Sequence, residues 1–362
     1  MKFVMAGGGT GGHVIPALAV AQELRARGHQ PVFFGTRHGY ESRLVPAAGF
    51  PIEWIDVGGL NRVGLGQKLK SLFMLPLSVF RVWSWLRTHR PGAVFSMGGY
   101  VAGPPVLAAI ISGLPIVAME PNAVPGLTNR KAAKWTAKAL VNFEETAAYF
   151  PPGRAEVTGV PVRKEFFAIP PKPAGDVFTV LVTGGSQGSR TLNNASRESW
   201  PLFKRAGTPV RIIHQSGRGS AEPLQAAFDL DGEIVEFISD MPAAFAQADL
   251  VVCRSGASTV SELAAAGRPS ILVPFPFAAD NHQQRNAEAM VRAGAARLVL
   301  DSELTGQRFF DEITALLNNR PQLTQMSTNA KKLGKPAAAE RAAELLEQVG
   351  SASAGRGLQP SS

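Results

Sequence analysis

A run of glycines near the start of the chain has the composition of a phosphate-binding loop. Residues 7–12 read Gly-Gly-Gly-Thr-Gly-Gly, and His13 follows them. The run comes directly after apolar residues 3–6, which predict a strand, and before a stretch of helical periodicity. Glycines let backbone N–H groups approach an anion closely, and the helix N-terminus adds partial positive charge. We therefore predict a phosphate site, with a tight strand-to-helix turn as the alternative.

The same glycines permit a second interpretation, a dinucleotide-binding site. Gly7, Gly9 and Gly12 satisfy the G-x-G-x-x-G spacing of such sites. That site also needs an acidic residue at the end of the second strand to bind ribose, whereas this strand ends in Gly-Thr-Arg at 35–37. Because Arg37 could instead serve the 2′-phosphate of NADP, an NADP-dependent oxidoreductase stays open as an alternative function.

A second glycine-rich loop occupies the corresponding place in the second half of the chain. Residues 184–189 read Gly-Gly-Ser-Gln-Gly-Ser after a predicted strand at 178–183. The loop lacks the lysine of a P-loop, which argues against triphosphate hydrolysis. Ser186 can donate its hydroxyl to a phosphate oxygen, and a helix N-cap is its alternative role. Two such loops predict two phosphorylated substrates, or one diphosphate shared between two domains.

Two further polar clusters suit a nucleotide sugar. Residues 253–262 follow an apolar run and begin a helix, so Glu262 falls within the first two turns. There its carboxylate can accept hydrogen bonds from both ribose hydroxyls, with helix capping as the alternative. Residues 280–286 gather amides that suit sugar hydroxyls, although a polar helix N-terminus would have a similar composition.

Alternating strands and helices must position these loops. Short runs rich in Val, Ile and Phe alternate with helical segments in both halves, which predicts βα units on parallel sheets. We expect an α/β protein of two doubly wound, Rossmann-like domains, residues 1–163 and 164–336. A proline-rich interdomain linker is predicted at 169–175, a helix at 337–349 that packs back on the first domain, and a disordered tail at 350–362.

Composition narrows the class of protein. Of 362 residues, 45% are hydrophobic and 18% are charged, as in ordinary globular proteins. The single cysteine, Cys253, excludes a disulfide framework and a cysteine-based metal cluster. Met1 and Lys2 run straight into the apolar residues 3–6, so we expect no signal peptide and a cytoplasmic protein.

The net charge of +9 is concentrated in the first half. Residues 1–170 contain 18 basic and 9 acidic residues, whereas the remainder contains 19 of each. No acidic residue lies between Asp56 and Glu120. This asymmetry predicts that the first domain faces an anionic partner, such as a phosphate, a nucleic acid or a membrane surface.

Residues 72–86 favour the membrane surface among these partners. The segment is apolar and aromatic, as in an interfacial helix whose rings lie at headgroup depth, with core packing as the alternative. The uncharged stretch 91–119 is broken by prolines at 104–105 and 115 into pieces too short to span the ~30 Å hydrocarbon core, so we expect no transmembrane helix. The apolar residues are 72–77, Val79, Phe80, Val82, Trp83, Trp85 and Leu86, and the flanking cations are Lys68, Lys70, Arg81, Arg87 and Arg90.

Six segments of this sequence have the form of motifs: 8–17, 97–104, 125–129, 184–188, 254–262 and 264–267. Taken together, they resemble the motifs of the MurG family of peptidoglycan glycosyltransferases. The resemblance implies the GT-B fold, in which two Rossmann-like domains face each other across a cleft. It implies inverting transfer of N-acetylglucosamine (GlcNAc) from UDP-GlcNAc to the muramic acid 4-hydroxyl of undecaprenyl-diphosphate-linked muramyl-pentapeptide (lipid I), forming lipid II. No metal or other cofactor is expected.

The resemblance also places the protein in the cell. It implies a peripheral enzyme on the cytoplasmic face of the inner membrane, whose partners are UDP-GlcNAc, lipid I and the anionic membrane surface. No nucleic acid is expected as a partner. A hydrolysing or epimerising relative of the same architecture is a third hypothesis, which has no need of a membrane-facing surface.

Roles for individual residues of the donor site follow from the resemblance. It implies that Ser186 binds the donor phosphate, that Arg163 lies beside the uracil, and that the backbone of Ile238 reads the uracil edge. Glu262 resembles the ribose ligand. The backbone of Ala257, Ser258, Thr259, Val260 and Ser261 is implied to line the phosphates and the sugar. The amides of Asn122, Gln283 and Gln284 are implied to contact the GlcNAc hydroxyls.

On the acceptor side, the resemblance implies that Thr10, Gly11 and Gly12 line the site. An inverting transfer needs a general base, and His13 is our candidate because it lies at the junction of loop and helix. A hydrogen bond to the acceptor diphosphate is its alternative role, and Glu120 is the alternative base. The chain departs from the family pattern at Met119 and Pro121, which replace the usual His and Gln, and at Val160, which replaces Asn.

Overall fold

A computed structural model describes residues 1–57, 65–173, 175, 177–228, 232–278 and 281–356, without the side chains of 65–73, 223 and 354–356. The chain divides into two compact units. The N-terminal unit contains Met1–Val162 and Lys335–Ser362, and the C-terminal unit contains Arg163–Gly334.

The N-terminal unit is built on a parallel sheet whose central strands are almost wholly buried, which explains their continuous apolar runs. In chain order the strands are β1 (Lys2–Gly7), β2 (Gln30–Gly35), β3 (Ile52–Trp54), β4 (Ala93–Gly98), β5 (Ile116–Glu120), β6 (Lys138–Val141) and β7 (Ala155–Val157). Their order across the sheet is β3-β2-β1-β4-β5-β6-β7. Strand β7 was not predicted, because this short edge strand is only partly buried and carries Glu156.

Helices connect these strands. They are α1 (Gly11–Ala26), α2 (Glu41–Ala47), α3 (Leu65–His89), α4 (Gly103–Ile111) and α5 (Leu127–Ala132). Helix α1 begins at Gly11, within the glycine run and before the stretch of helical periodicity that predicted it. Glycine has a low helix propensity, so the periodicity becomes visible only after Gly12.

The C-terminal unit repeats this arrangement with six strands, in the order β10-β9-β8-β11-β12-β13. The strands are β8 (Phe178–Thr183), β9 (Val210–Gln215), β10 (Gly232–Val235), β11 (Leu250–Cys253), β12 (Ser270–Leu272) and β13 (Ala296–Leu298). The helices are α6 (Lys164–Phe167), α7 (Arg190–Ala206), α8 (Ala221–Gln225), α9 (Met241–Gln247), α10 (Ala257–Ala266), α11 (His282–Arg292), α12 (Gly306–Leu317) and α13 (Arg320–Leu333). The predicted α/β class with two Rossmann-like domains is confirmed.

The proline-rich segment 169–175 is part of the C-terminal unit, so the predicted linker is wrong. Arg268 Nη2 donates a hydrogen bond to the carbonyl of Pro170 at 3.1 Å, and Lys172 forms an ion pair with Asp249. Prolines cannot continue a helix or donate backbone hydrogen bonds, so the composition indicated a linker. Instead, the Pro170 carbonyl and the Lys172 ammonium group hold the segment against the rest of the C-terminal unit.

The last helix, α14 (Ala338–Arg356), belongs to the N-terminal unit. It buries Leu345 and Leu346 in the core around β1, and Arg341 pairs with Glu156 at 2.7 Å. The predicted disordered tail is wrong for residues 350–356, which continue the helix, because alanine and serine do not terminate one. Gly350 packs against the backbone of Gly92. Residues 357–362 lie outside the described residues.

Candidate active site

In each unit the glycine-rich loop lies where the strand order reverses. From β1 the chain runs outward to β2 and β3, then returns to β4 on the other side; β8 and β11 form the corresponding pair. In parallel α/β sheets, ligands bind beyond the carboxyl ends of the strands at this switch point. The candidate sites are therefore the loops after β1 and β4, and the loops after β8 and β11.

The loop after β1 adopts a turn that requires glycine. Gly9 has a φ of +82°, and a Cβ there would lie 2.8 Å from the ring of Tyr100. Thr10 is the N-cap residue of α1. The first N–H groups of a helix, here those of Gly11 and Gly12, have no partner within the helix. This end of α1 can therefore bind an anion, as the sequence predicts.

His13 lies in the first turn of α1, beside the loop after β4. Its Nδ1 is 3.3 Å from the carbonyl oxygen of Gly8 and 3.3 Å from Thr10 Oγ1. A Cβ on Gly99 would lie 3.2 Å from the imidazole ring, so the two loops are in contact. When Nδ1 carries the proton and donates it to Gly8, the lone pair of the neutral imidazole is on Nε2.

Glu120 ends β5 and is only 2% exposed. Its Oε1 accepts hydrogen bonds from the Asn122 backbone N–H at 3.0 Å and from Asn122 Nδ2 at 3.2 Å. Its Oε2 accepts from the Gly126 N–H at 3.1 Å and from Asn129 Nδ2 at 3.0 Å. Burial raises the pKa of Glu120, and these hydrogen bonds act in the opposite direction.

Asn129 connects this carboxylate to the loop after β4. Its Oδ1 accepts a hydrogen bond from Ser96 Oγ at 3.2 Å, and its Nδ2 would lie 3.0 Å from a Cβ on Gly98. The structure therefore brings Glu120, Asn122 and His13 to the same edge of the N-terminal sheet.

The loop after β8 leads to α7. Gly188 has a φ of +71°, and a Cβ there would lie 2.1 Å from the carbonyl oxygen of Ser216. Ser189 caps α7, because its Oγ accepts from the Leu192 N–H at 3.3 Å. Ser186 is exposed and lies four residues before the helix begins, so the alternative N-cap role for Ser186 is wrong.

Gln215, which the sequence analysis did not single out, ties this loop to Ile238. Its Nε2 donates to the carbonyl of Gly185 at 2.9 Å and to Thr183 Oγ1 at 3.1 Å. Its Oε1 accepts from the Ile238 N–H at 2.9 Å. The available signal was a glutamine that ends the largely buried strand β9, where a buried amide needs partners.

Helix α10 carries the predicted backbone ligands and Glu262. Gly256 is its N-cap residue, and Glu262 lies in the second turn. Burial raises the pKa of the Glu262 carboxyl to about 7, while the Arg163 guanidinium acts to lower it. Within the described residues, Ser258 Oγ is buried without a hydrogen-bond partner. Because the Arg163 guanidinium acts on the pKa of Glu262, these two side chains belong to one site.

The predicted sugar-binding amides lie in α11. Gln283 Oε1 accepts from the Phe275 N–H at 2.9 Å, and the Gln283 carbonyl accepts from Ser255 Oγ at 2.8 Å. Gln284 Nε2 donates to Glu288 Oε1 at 2.9 Å. Both side chains therefore contact neighbours within the C-terminal unit in this conformation. Residues 279 and 280 lie outside the described residues.

Arg254 is a second residue whose importance the sequence analysis missed, although it belongs to a matching motif. Its Nη2 donates to Ser189 Oγ at 2.7 Å, and its Nη1 donates to the Pro274 carbonyl at 3.1 Å. Nη1 also lies 2.5 Å from Asp301 Oδ1. One guanidinium therefore holds together the loops after β8, β11 and β12.

Helix α3 has one buried and one exposed face. Leu77 is 71% exposed and Phe80 is 62% exposed. Val82 and Leu86 are buried against the sheet and are not available to a membrane, so for these two residues the alternative of core packing is correct. The Arg87 guanidinium lies 4.9 Å from the centre of the Trp83 ring. The side chains at 65–73, including Lys68, Lys70, Leu72 and Phe73, lie outside the described residues. In the part of the chain that the structure describes, no helix is long and apolar enough to cross a membrane.

Comparisons with known proteins match both units to one family. The glycosyltransferase family 28 N-terminal domain matches residues 3–141, and the glycosyltransferase family 28 C-terminal domain matches residues 179–342. Together the two models cover most of the chain.

Individual relatives match over nearly the whole length. The UDP-N-acetylglucosamine–N-acetylmuramyl-(pentapeptide) pyrophosphoryl-undecaprenol N-acetylglucosamine transferase of Solibacter usitatus is 61% identical over 96% of each chain. The transferase of the same name from Myxococcus xanthus is 40% identical over 95% of this chain and 92% of its own. The crystal structure of Acinetobacter baumannii MurG superposes with a TM-score of 0.80 at 33% identity, covering 96% of this chain and 99% of that one.

Proposed function

Since the chain belongs to glycosyltransferase family 28, we propose that it transfers GlcNAc from UDP-GlcNAc to the 4-hydroxyl of the muramic acid in lipid I, forming lipid II with inversion. The observation that carries this proposal is the 61% identity over 96% of the chain to a transferase named for this reaction. The match to a glycosyltransferase family leaves the NADP-dependent oxidoreductase without support. Arg37, its proposed 2′-phosphate ligand, lies over the Trp54 ring at 5.0 Å.

The C-terminal unit binds the donor in this proposal. Glu262 accepts hydrogen bonds from the ribose hydroxyls, Arg163 and the backbone of Ile238 contact the uracil, and Ser186 contacts a phosphate. The N-terminus of α10, with Ala257, Ser258, Thr259, Val260 and Ser261, stabilises the negative charge on the departing UDP. Gln283 and Gln284 bind the sugar hydroxyls after a change from their present hydrogen bonds, with Asn122 as a third amide.

In the N-terminal unit, the acceptor diphosphate binds at the N-terminus of α1. Gly11 and Gly12 supply backbone N–H groups there, and Thr10 supplies a hydroxyl. A hydrogen bond from His13 Nδ1 to the Gly8 carbonyl, 3.3 Å away, would leave Nε2 of the neutral imidazole to take a proton. His13 is therefore the base that we favour over Glu120.

The transfer then follows from these roles. His13 Nε2 takes the proton of the acceptor 4-hydroxyl as that oxygen forms a bond to the anomeric carbon of GlcNAc. The bond between the anomeric carbon and the diphosphate oxygen breaks, and UDP leaves with the electron pair. Since both oxygens of Glu120 already accept hydrogen bonds, its role in this proposal is to position Asn122.

The exposed face of α3 provides the contact with the membrane. Leu77 and Phe80 project apolar surface, and the exposed Arg81, Arg87 and Arg90 supply cations for anionic headgroups. With this contact, we propose a peripheral enzyme on the cytoplasmic face of the inner membrane.

The test is transfer of label from radioactive UDP-GlcNAc to lipid I. We expect label in a butanol-extractable lipid whose formation requires both substrates. UDP and UDP-GlcNAc should raise the melting temperature, and NADPH should not. Release of free sugar, or formation of an epimerised nucleotide sugar, with no labelled lipid would contradict the proposal and favour the hydrolysing or epimerising relative.

A further inference from the structure

A buried carboxylate lies directly behind the glycine loop of the N-terminal unit. Glu41, the first residue of α2, is 0% exposed. Its Oε2 accepts a hydrogen bond from the Gly9 N–H at 2.7 Å. Its Oε1 accepts from the Thr36 N–H at 2.9 Å and from Thr36 Oγ1 at 2.7 Å. Among the described residues, no lysine, arginine or histidine forms an ion pair with it. These hydrogen bonds, and its position in the first turn of α2, compensate its burial.

Three glycines make room for this side chain. A Cβ on Gly8 would lie 2.7 Å from the Glu41 carboxyl carbon, and one on Gly35 would lie 2.6 Å from Glu41 Cγ. A Cβ on Gly39 would lie 2.1 Å from Oε2. These approaches are shorter than van der Waals contact, so the backbone on three sides is built around the carboxylate. The arrangement explains the glycines at 35 and 39, to which the sequence analysis gave no role.

We propose that Glu41 is a positioning residue that presets the glycine loop for the diphosphate of the acceptor. Its carboxylate takes the Gly9 N–H, which a bound phosphate could otherwise use, and so holds the loop in the turn with positive φ at Gly9. A fixed negative charge behind the loop also repels a second anion from that side. The anion is thereby directed to the N-terminus of α1, at Gly11 and Gly12. This inference rests on the proposed function of the loop as the acceptor site.

The same contacts explain why the loop does not serve as a nucleotide site. In a dinucleotide-binding domain, a carboxylate at the end of the second strand binds the ribose hydroxyls. Here the carboxylate nearest that position is Glu41, and both of its oxygens already accept hydrogen bonds from Thr36 and Gly9. Glu41 therefore helps to select a diphosphate without a nucleoside.

The test compares wild type, Glu41→Gln and a control, Glu53→Gln. Glutamine keeps the shape of the side chain but cannot accept hydrogen bonds at both ends, whereas Glu53 is an exposed residue of the same unit that loses the same charge. The substrates are UDP-GlcNAc and a muramyl-pentapeptide diphosphate with a short prenyl chain. We expect Glu41→Gln to raise the acceptor KM about tenfold and to leave the donor KM unchanged. Amide hydrogen exchange at Gly9 should become about tenfold faster. The control should match wild type.

Two results would overturn the inference: a wild-type acceptor KM in Glu41→Gln, or an equal rise of both KM values, which would indicate general loosening. If Glu41→Gln does not fold, Thr36→Val removes the hydroxyl that donates to Glu41 and that also hydrogen-bonds with Tyr100. It should raise the acceptor KM by a smaller factor, without effect on the donor KM. A wild-type enzyme that transfers no label contradicts the proposed function itself. In that case the Kd for prenyl diphosphate decides on Glu41, since it should still rise about tenfold in Glu41→Gln.

Discussion

The two units place a glycine loop at the same position of the same kind of sheet, but they secure it with opposite chemistry. Behind the N-terminal loop lies the carboxylate of Glu41, bound to the Gly9 N–H. The C-terminal loop is secured by the neutral amide of Gln215 and by the guanidinium of Arg254. The difference extends to the surface, since the excess of basic over acidic residues lies within residues 1–170.

The comparison shows how one fold can bind two diphosphates of different kinds. A loop supported by an amide and a cation can accept a nucleotide, and in the proposed function Glu262 of helix α10 binds its ribose. A loop supported by a carboxylate, on a basic unit, suits a diphosphate attached to a lipid. Substitutions in either unit can therefore test this contrast.

The largest effect is expected at His13. If it is the general base of the N-terminal site, His13→Ala should lower kcat by about 10²–10⁴ with little change in the KM for UDP-GlcNAc. Steady-state kinetics with both substrates measures this. The exposed His38, changed to alanine, is the control and should behave as wild type. A near-normal kcat in His13→Ala would reject the role.

The next largest effect is expected on membrane binding, from reversing the charges beside α3 in the N-terminal unit. Replacing Arg81, Arg87 and Arg90 with glutamate should weaken binding to phosphatidylglycerol vesicles at least about 100-fold, because each cation contributes about 1 kcal/mol near an anionic surface and each glutamate adds repulsion. The same change at Arg197, Arg205 and Arg292 of the C-terminal unit is the matched control. Equal losses in the two triple variants, measured by vesicle sedimentation, would show that net charge alone is responsible.

Donor binding should depend on pH through Glu262. Its pKa of about 7 lies above the ordinary carboxyl value because of burial, and ribose hydroxyls donate to the ionised form. The Kd of UDP should therefore be about tenfold higher at pH 6 than at pH 8. Glu262→Gln should bind UDP more weakly and lose this dependence. Isothermal calorimetry at both values of pH gives the comparison, and an unchanged slope in Glu262→Gln would exclude Glu262 as its source.

The raised pKa of Glu262 also predicts how the free energy of unfolding changes with pH. Folded Glu262 keeps its proton to a higher pH than the unfolded chain does, so its contribution to the free energy of unfolding declines as pH rises from about 4.5 to about 7. Urea unfolding of the ligand-free protein should show a weaker decline over that window in Glu262→Gln. This result would place the titration in the folded protein and not in the ligand.

The smallest effect is expected at Gln215. Gln215→Leu removes the hydrogen bonds to Gly185 and to the Ile238 N–H, so the donor KM should rise about fivefold with the acceptor KM unchanged. It is the counterpart of Glu41→Gln on the other unit. A change in the acceptor KM instead would remove the contrast between the two loops.

The sequence predicted the glycine loops better than it predicted the side chains that hold these loops in place. Glycine runs, apolar strands and helical periodicity are local signals, so the fold class and the loop after β1 could be read directly. Glu41, Gln215 and Arg254 act through contacts with residues distant in the chain. A glutamine at the end of a strand and an arginine within a motif are visible in the sequence, but the contacts that these side chains make are not. The segments 169–175 and 350–356 were mispredicted because composition reports flexibility and not the tertiary contacts that remove it.

The central claim is that the nucleotide binds to the C-terminal unit and the lipid diphosphate to the N-terminal unit. A crystal structure of the enzyme with UDP tests it most directly. We predict uracil beside Ile238, ribose hydroxyls on Glu262 and phosphates at the N-terminus of α10. A nucleoside bound at the loop of residues 7–12 would contradict the account.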